Sequence, residues 1–335
     1  VVYGANRFFG EGTSNLAFGN FFDGELDEIR MYSRSLSENE VKALYQFPDG
    51  ITTSNVGNIF SCKSYNNIEK FIQHKEMEVV VILTKSGQHY EHSKICLLNG
   101  LNVIVEKPLS LRIEHAADLI NISSKTGKFC SSIFQNRLNP AVEVTKNAFE
   151  KNRFGNLVSV SVRLRWCRLQ EYYDDGWHGT WAQDGGVTNQ QAIHHVDALT
   201  WICGNAKSVS AISAKRANDL QAEDTLVAAI ELENGGLATL ELTTAARPKD
   251  LEASITITGT KGVVQIGGVA LNKIKQWNFS DSIDSEKDII NQYSEEVDNG
   301  YGISHYRQLK KIHEHFRNGR MDQVPWRRCA APASL

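Results

Sequence analysis

The chain has 335 residues, 41% hydrophobic and 22% charged. That balance excludes a mostly disordered polypeptide and, at roughly 100–200 residues per domain, predicts two domains and a fragment of a third. Its 36 basic and 39 acidic residues leave a formal net charge of −3, which gives no general attraction to nucleic acid or to an anionic membrane. No apolar run approaches the roughly 18 residues of a spanning helix. The opening Val1-Val2-Tyr3-Gly4 lacks a signal peptide's charged leader and apolar stretch and has no initiator Met, so the natural start is expected upstream. Cys62, Cys96, Cys130, Cys167, Cys203 and Cys329 show no C-x-x-C and no zinc-type pairing. They predict reduced, mostly buried thiols, no metal site and a cytoplasmic protein.

Taken in chain order, residues 1–47 are rich in Gly and Phe and then turn helical. Leu26, Ile29 and Met31 are apolar among charged neighbours, as in a half-buried strand, and Ser37 with Glu40 forms a capping box for a helix reaching Tyr45. The run from Phe21 through Asp27-Glu28-Ile29-Arg30, followed by Leu36-Ser37, resembles the C-terminal end of a laminin-G/concanavalin-like jelly roll. Residues 48–58 read as a linker. From Ile59 the pattern changes to alternating helices and short strands. Helices are expected over Tyr65–Lys75, His92–Asn99 (closed by Gly100) and Ile113–Thr126 (closed by Gly127). Buried parallel strands are expected at Val79–Leu83, Asn102–Val105 and Phe129–Phe134. Residues 156–324 alternate over longer strands, with hairpin turns at Glu233-Asn234-Gly235-Gly236 and Gly259-Thr260-Lys261-Gly262 and one helix over 189–203. The expected fold is therefore α/β plus α+β. An incomplete Rossmann-like parallel sheet (59–155) precedes an open, mostly antiparallel sheet (156–324), with an irregular tail at 325–335.

Two motifs carry chemistry. Glu106-Lys107-Pro108 follows a buried strand, at the carboxyl end where open α/β sheets bind ligands. A lysine there can act as acid, base or electrostatic stabiliser if burial lowers its pKa, although the tripeptide alone is also consistent with a surface lysine before a proline. The second motif runs from Asp184-Gly185-Gly186 to His194-His195-Val196-Asp197. At about 100° per residue, Gln190, His194, Asp197 and Trp201 share one helix face and Ala192, Val196, Leu199 and Cys203 the opposite one. The apolar stripe is expected in the sheet and the Gln190/His194 stripe toward a cleft. His195 points to the border, as a hydrogen-bonded structural residue.

Together these motifs resemble the Gfo/Idh/MocA family of nicotinamide-dependent sugar oxidoreductases, from Ile59 to Asp281. Ser86-Gly87-Gln88-His89 and Gln135-Asn136-Arg137-Leu138-Asn139-Pro140 add to the resemblance, with Lys85 where the family usually has Pro. Arg165-Trp166, Gln170-Glu171-Tyr172-Tyr173-Asp174 and Trp177-His178-Gly179-Thr180-Trp181 are similar to the UDP-N-acetylhexosamine and hexosaminuronate 3-dehydrogenases. The resemblance implies oxidation of a sugar hydroxyl with hydride transfer to NAD, NADP remaining open. It gives His194 the role of proton acceptor and Lys107 that of orienting the hydroxyl. Gln190 stands where Asp or Asn is usual. It implies cofactor contacts from Thr84, His89, Glu106, Lys107, Pro108, Gln135 and Asn136. The sugar pocket it implies is lined by Arg165, Trp166, Tyr172, Tyr173, Trp177, His178, Trp181, Asp184, Gln190 and His194. The implied partners are a nucleotide-sugar substrate and a second copy of the chain, paired through the C-terminal sheet.

The family's opening strand, G-x-G-x-x-G turn and acidic ribose residue have no counterpart. Gly10-Glu11-Gly12-Thr13-Ser14-Asn15 puts Asn15 at the third glycine. The expectation is that the first two strands are replaced by the jelly-roll fragment, which exposes the edge of the next strand and removes the diphosphate cradle. This leaves two alternatives for the chain: a catalytically inactive chimera, or a carbohydrate-binding module.

Overall fold

Val79-Val80-Val81-Ile82 and Asn102-Val103-Ile104-Val105 are short runs with no polar face, and such runs are stable only where helices cover both sides of a parallel sheet. A computed structural model of the chain shows this arrangement. It describes residues 2–5, 29–30, 63–65, 67–75, 77–281, 283–297 and 302–318. The described residues of Val1–Ile133 and His305–Ala331 form one compact unit, and those of Phe134–Ser304 another. The division falls earlier than residue 155, because the helix over Pro140–Glu150 gives Ala141, Val142 and Ala148 to the second core.

In the first unit the strands are β1 (Val2–Ala5), β2 (Ile29–Arg30), β3 (Ser64–Tyr65), β4 (Val79–Ile82), β5 (Asn102–Val105) and β6 (Cys130–Ser132). Helix α1 is Ile68–Phe71, α2 is His89–Leu98 and α3 is Ile113–Thr126. The main sheet has the order β1-β4-β5-β6, with β4, β5 and β6 parallel. All four residues of β4 and of β5 are buried. Gly127 closes α3 at φ +67°, a left-handed conformation that suits glycine. The helix expected over Tyr65–Lys75 shrinks to α1, because Ser64–Tyr65 pairs with Ile29–Arg30 instead.

The edge of β4, expected to be bare, is paired. β1 runs antiparallel along it, with Val2 opposite Ile82 and Ala5 opposite Val79. The jelly-roll reading of residues 1–47 falls otherwise on residues outside those described, as do the 48–58 linker and the 325–335 tail.

The second unit opens with α4 (Pro140–Glu150), followed by β7 (Leu157–Arg165), α5 (Gly186–Asn189), α6 (Ile193–Cys203), β8 (Ala206–Ala214), β9 (Thr225–Leu232), β10 (Leu237–Thr243), β11 (Glu252–Gly259), β12 (Gly262–Gly267), β13 (Lys273–Phe279) and α7 (Glu286–Tyr293). Its seven strands are ordered β13-β12-β11-β7-β10-β9-β8. Every neighbouring pair is antiparallel except β10 with β7. Both expected hairpin turns are present. Alternation turns Val160, Val162 and Leu164 of β7 and Ala238, Leu240 and Leu242 of β10 inward. There they meet the stripe Ala192, Val196, Leu199 and Cys203 of α6.

The helix expected over 189–203 is two helices: α5 stops at Asn189 and α6 starts at Ile193. Gln190 is therefore not one turn before His194 on a continuous helix. A final helix, α8 (Ser304–Arg317), has Leu309 and Ile312 buried. Among the described residues no helix is long and apolar enough to cross a membrane. Cys96, Cys130, Cys167 and Cys203 are free, and burial pushes the Cys96 and Cys203 thiols up to about 12. Reduced, unreactive thiols result at those two positions.

Candidate functional site

In the first unit the carboxyl ends of β4 and β5 carry a tied cluster. Glu106 extends the ladder by donating its N–H to the Ile82 carbonyl at 2.9 Å. Its carboxylate accepts from the Lys107 N–H at 3.0 Å and lies 3.3 Å from His305 Nε2. Burial works against the charged carboxylate, but His305 and Lys107 outweigh it and hold Glu106 below the usual carboxylate range. The Lys107–Pro108 peptide is cis.

His89 is buried between two carbonyls, with Nδ1 2.6 Å from Pro108 O and Nε2 2.8 Å from Thr84 O. Burial lowers its pKa, while the two carbonyls and Glu106 pull the other way. His89 thus staples the loop after β4 to the loop after β5. Thr84 Oγ1 bonds His92 Nδ1 at 3.1 Å. Thr84, His89, Glu106, Lys107 and Pro108 are brought together, with His89 and Glu106 spent on shaping the loop that presents Lys107.

In the second unit Gly185 and Gly186 both have φ +81°. A Cβ on Gly186 would collide with the Glu223 carboxylate, so only glycine fits there. Asp184, buried, accepts from the N–H groups of Gly179 and Gly186 at 2.9 and 3.3 Å. Its carboxylate braces the loop through these two bonds. Asp197 is also redirected. It is 2% exposed and holds Arg137 through two bonds, Nε to Oδ2 at 2.7 Å and Nη2 to Oδ1 at 2.5 Å. Burial pushes the Asp197 carboxyl up, and the guanidinium works against that shift. Arg137 in turn lies over the Trp201 ring at 4.4 Å. The face expected to open on a cleft is therefore filled at its far end by this pair, and His194 is left at the near end.

His194 meets Phe134 edge to face at 6.1 Å, and Gln135 Nε2 stands 3.5 Å from His194 Nε2. The Gln135 amide nitrogen can only donate, so this contact is a hydrogen bond in the His194 tautomer that leaves the Nε2 lone pair free. Gln135 and Asn136 are 2% and 4% exposed, and Gln135 Oε1 and Asn136 Oδ1 have no hydrogen-bond partner among the described residues. His195 differs from its expectation. It is buried edge-on to Trp166 at 6.4 Å, and neither ring nitrogen has a partner among the described residues. Burial pushes its pKa down to about 4.

The aromatic segment is partly assembled. His178 stacks on Trp177 at 3.6 Å and on Tyr172 at 4.2 Å. The Tyr172 hydroxyl accepts from Gln191 Nε2 at 3.2 Å, which ties the segment to the residues just before α6. Tyr173 is buried, its hydroxyl bonded to Thr244 Oγ1 at 2.8 Å. Arg165 is not in this group. As the residue after Leu164 it points to the opposite face of β7, where it pairs with Glu241 at 2.6 Å and Glu252 at 3.2 Å. Trp181 is 59% exposed and makes no ring contact among the described residues. Gln190 ends α5, its N–H bonded to Gly186 O.

Two residues went unread in the sequence. Asp175 bonds His178 Nδ1 at 2.5 Å and accepts from the N–H groups of Trp177 and His178 at 3.0 Å. The Asp-Gly-x-His spacing is an Asx-turn signal that could have shown it. Arg168 lies over Trp166 and Tyr172, and no local pattern marks it.

The chain matches two family descriptions: "Oxidoreductase family, NAD-binding Rossmann fold" over residues 19–134, and "GFO/IDH/MocA C-terminal domain" over residues 142–265. The first match begins well before Ile59, inside the segment that resembles a jelly roll. Among solved structures, the WlbA dehydrogenase of Chromobacterium violaceum, in complex with NADH and UDP-GlcNAcA, is 32% identical, covers 82% of this chain and 76% of its own, and superposes with a TM-score of 0.74. The WlbA dehydrogenase of Bordetella pertussis, in the same complex, is 32% identical over 80% of this chain and 77% of its own, with a TM-score of 0.75. An uncharacterized oxidoreductase of Synechocystis is 27% identical over 196 residues, which are 55% of this chain. The chain spans only 53% of that relative's length. Both domain matches and the likeness to the two WlbA structures establish that the chain belongs to the Gfo/Idh/MocA oxidoreductase family.

Proposed function

We propose that the chain carries the sugar-handling part of an NAD-dependent dehydrogenase that oxidises a hydroxyl, at C3 of the amino sugar, of a UDP-N-acetylhexosamine or hexosaminuronate. The observation that carries this reading is His194, set against Phe134 and Gln135 in a chain 32% identical to dehydrogenases solved with NADH and UDP-GlcNAcA.

The residues present fit the nicotinamide end of the cofactor. Gln135 Oε1 and Asn136 Oδ1 are buried acceptors without partners among the described residues, and carboxamide or ribose donors would satisfy them. The loop shaped by Thr84, His89, Glu106 and Pro108 would add contacts to the cofactor. When bound, the nicotinamide supplies the hydride acceptor. His194 takes the hydroxyl proton, Lys107 orients the hydroxyl oxygen, and Gln190 offers a neutral hydrogen bond to the sugar. Trp166, Tyr172, Trp177 and His178 form the apolar and stacking wall.

The β1–β4 pairing favours a second reading. In a doubly wound sheet the strand beside β4 carries the glycine turn at its carboxyl end. An antiparallel strand there leads the chain away from that end, so the sugar nucleotide is bound but not turned over. A fusion of residues 1–47 to a truncated oxidoreductase would produce this arrangement.

Calorimetric titration with UDP-GlcNAcA, and NADH formation at millimolar NAD, test both readings. The first expects binding and turnover, with turnover falling at least ~100-fold in His194→Ala. Binding without turnover selects the second. Absence of UDP-GlcNAcA binding rejects both. We also infer that the outer face of the seven-stranded sheet pairs with a second copy of the chain.

A further inference from the structure

Two loops leave the same end of the seven-stranded sheet, one after β7 and one after its parallel neighbour β10. Each holds an arginine. Arg168 Nη1 donates to the Cys167 carbonyl at 2.7 Å and to Asp250 Oδ1 at 3.3 Å, while its Nε and Nη2 have no partner among the described residues. Its guanidinium lies 5.0 Å from the Trp166 ring centre and 5.8 Å from that of Tyr172. Arg247 is held almost wholly by neutral acceptors. Nη1 donates to Thr244 O at 3.2 Å and Ala246 O at 2.9 Å and touches Cys167 Sγ at 3.8 Å. Nη2 donates to Arg168 O at 2.9 Å and Asn218 Oδ1 at 3.0 Å. Among the described residues no carboxylate forms an ion pair with Arg247. Asp250, the one acidic partner of the cluster, also accepts the Cys167 N–H at 2.6 Å.

The two guanidinium groups thus have one carboxylate between them, Asp250, and it pairs with Arg168. Ordinary surface arginines find their own carboxylates, as Arg165 does on the other face of the sheet. Held by neutral acceptors, Arg247 keeps its charge uncompensated, while Arg168 keeps the Nε and Nη2 donors that form a fork for an external anion with paired oxygens. The position agrees. Trp166 touches His195, the neighbour of His194, and carries Arg168 on its ring. In a nucleotide sugar the diphosphate is attached directly to the sugar, so an anion site one aromatic ring away from His195, the neighbour of the proposed base His194, lies within reach of that group. We propose that Arg168 and Arg247 bind the diphosphate of the nucleotide-sugar substrate, with Trp166 and Tyr172 as the platform that orients Arg168. The inference rests on the sugar-nucleotide reading above and adds the residues that recognise the diphosphate.

The full-length chain is titrated calorimetrically with UDP, UDP-N-acetylglucosamine, UDP-GlcNAcA and inorganic pyrophosphate, in parallel with Arg168→Gln, Arg168→Lys, Arg247→Gln and the outer-face control Arg163→Gln. The expected result is an affinity for UDP and both sugars at least tenfold weaker in Arg168→Gln and Arg247→Gln. Arg168→Lys should lie between these and the parent, and Arg163→Gln should be unchanged. Raising the salt should weaken the parent far more than Arg168→Gln. Affinities within twofold of the parent in both glutamine variants overturn the proposal, as does a loss confined to UDP-GlcNAcA, which would place the arginines on the uronate carboxylate. If the parent binds no sugar nucleotide, the functional reading fails while pyrophosphate still decides the cluster. Binding lost in Arg168→Gln supports it, and no binding, or binding indifferent to the variant, overturns it. Unchanged thermal unfolding of the variants keeps misfolding from imitating the result.

Discussion

Arg137 and Asp197 are both nearly dry, with side chains 9% and 3% exposed. Removing one partner leaves the other charged in a poorly solvated place, which typically costs about 3–5 kcal/mol, whereas replacing both with apolar groups is often near neutral. Arg137→Met should therefore lower the urea midpoint sharply, and adding Asp197→Leu should recover most of the loss. An additive double variant would show that the pair does not behave as a unit. His195 adds a pH dependence. Its pKa is about 6.5 in an unfolded chain and about 4 in the fold, so acid protonates the unfolded chain first. Stability is full above about pH 6.5 and is lost as pH falls toward 4, by about 2 kcal/mol between pH 7 and pH 5 from this group alone. Urea unfolding of His195→Phe should show a smaller drop over that interval than the parent; an equal drop would remove His195 as its source. Around them the sequence made the apolar stripe Ala192, Val196, Leu199 and Cys203 legible, because helical angle alone places it on the core side. Asp197 was misread for the same reason: the angle gives a direction, but its partner Arg137 is distant in sequence and periodicity carries no sign of it.

The elements were legible where one period dominates. β4 and β5 declare themselves as unbroken apolar runs, and the β9–β10 hairpin by alternation around Asn234-Gly235. The segment from Asp184 to Cys203 was not legible, because its break is set by tertiary contacts. Asp184 fixes two N–H groups, Glu223 packs against the Gly186 backbone, and the chain turns over before α6 begins. The outer face of the sheet is the other element-scale feature. Ile212, Val227 and Leu237 are all more than half exposed on that face, Ile212 at 79%. Aliphatic side chains on a face with no helix over it among the described residues suit pairing with an identical face, which a two-fold axis makes self-complementary. Sedimentation should show a dimer, and Ile212→Glu, which places a charge on the outer face of β8, should shift it toward monomer. A parent chain monomeric at tens of micromolar would reject that surface.

At the scale of the whole molecule the question is how a dinucleotide is held. Open parallel sheets grip a diphosphate with backbone N–H groups at a glycine turn and a helix start. Charge-assisted bonds of this kind contribute about 1.5–3 kcal/mol each, so losing two removes ~10²–10⁴-fold in affinity. In this chain the neighbour of β4 runs from Val2 opposite Ile82 to Ala5 opposite Val79, away from the end that bears Glu106 and Lys107. β1 therefore ends beside Val79, at the opposite end of β4 from Glu106 and Lys107, which is the observation behind the second reading proposed above. The nicotinamide contacts proposed for Gln135 and Asn136 do not depend on that turn. A chain that keeps the nicotinamide end and lacks the diphosphate grip should barely distinguish the whole cofactor from its nicotinamide half. Titrated against the purified protein, NADH and reduced nicotinamide mononucleotide should bind with dissociation constants within about tenfold of each other, both near millimolar, since the extra adenylate meets no cradle. Micromolar, stoichiometric NADH binding with a hundredfold preference over the mononucleotide would mean that residues outside β1 and β4 rebuild the diphosphate site, and the reading of a weakened cofactor grip would fall.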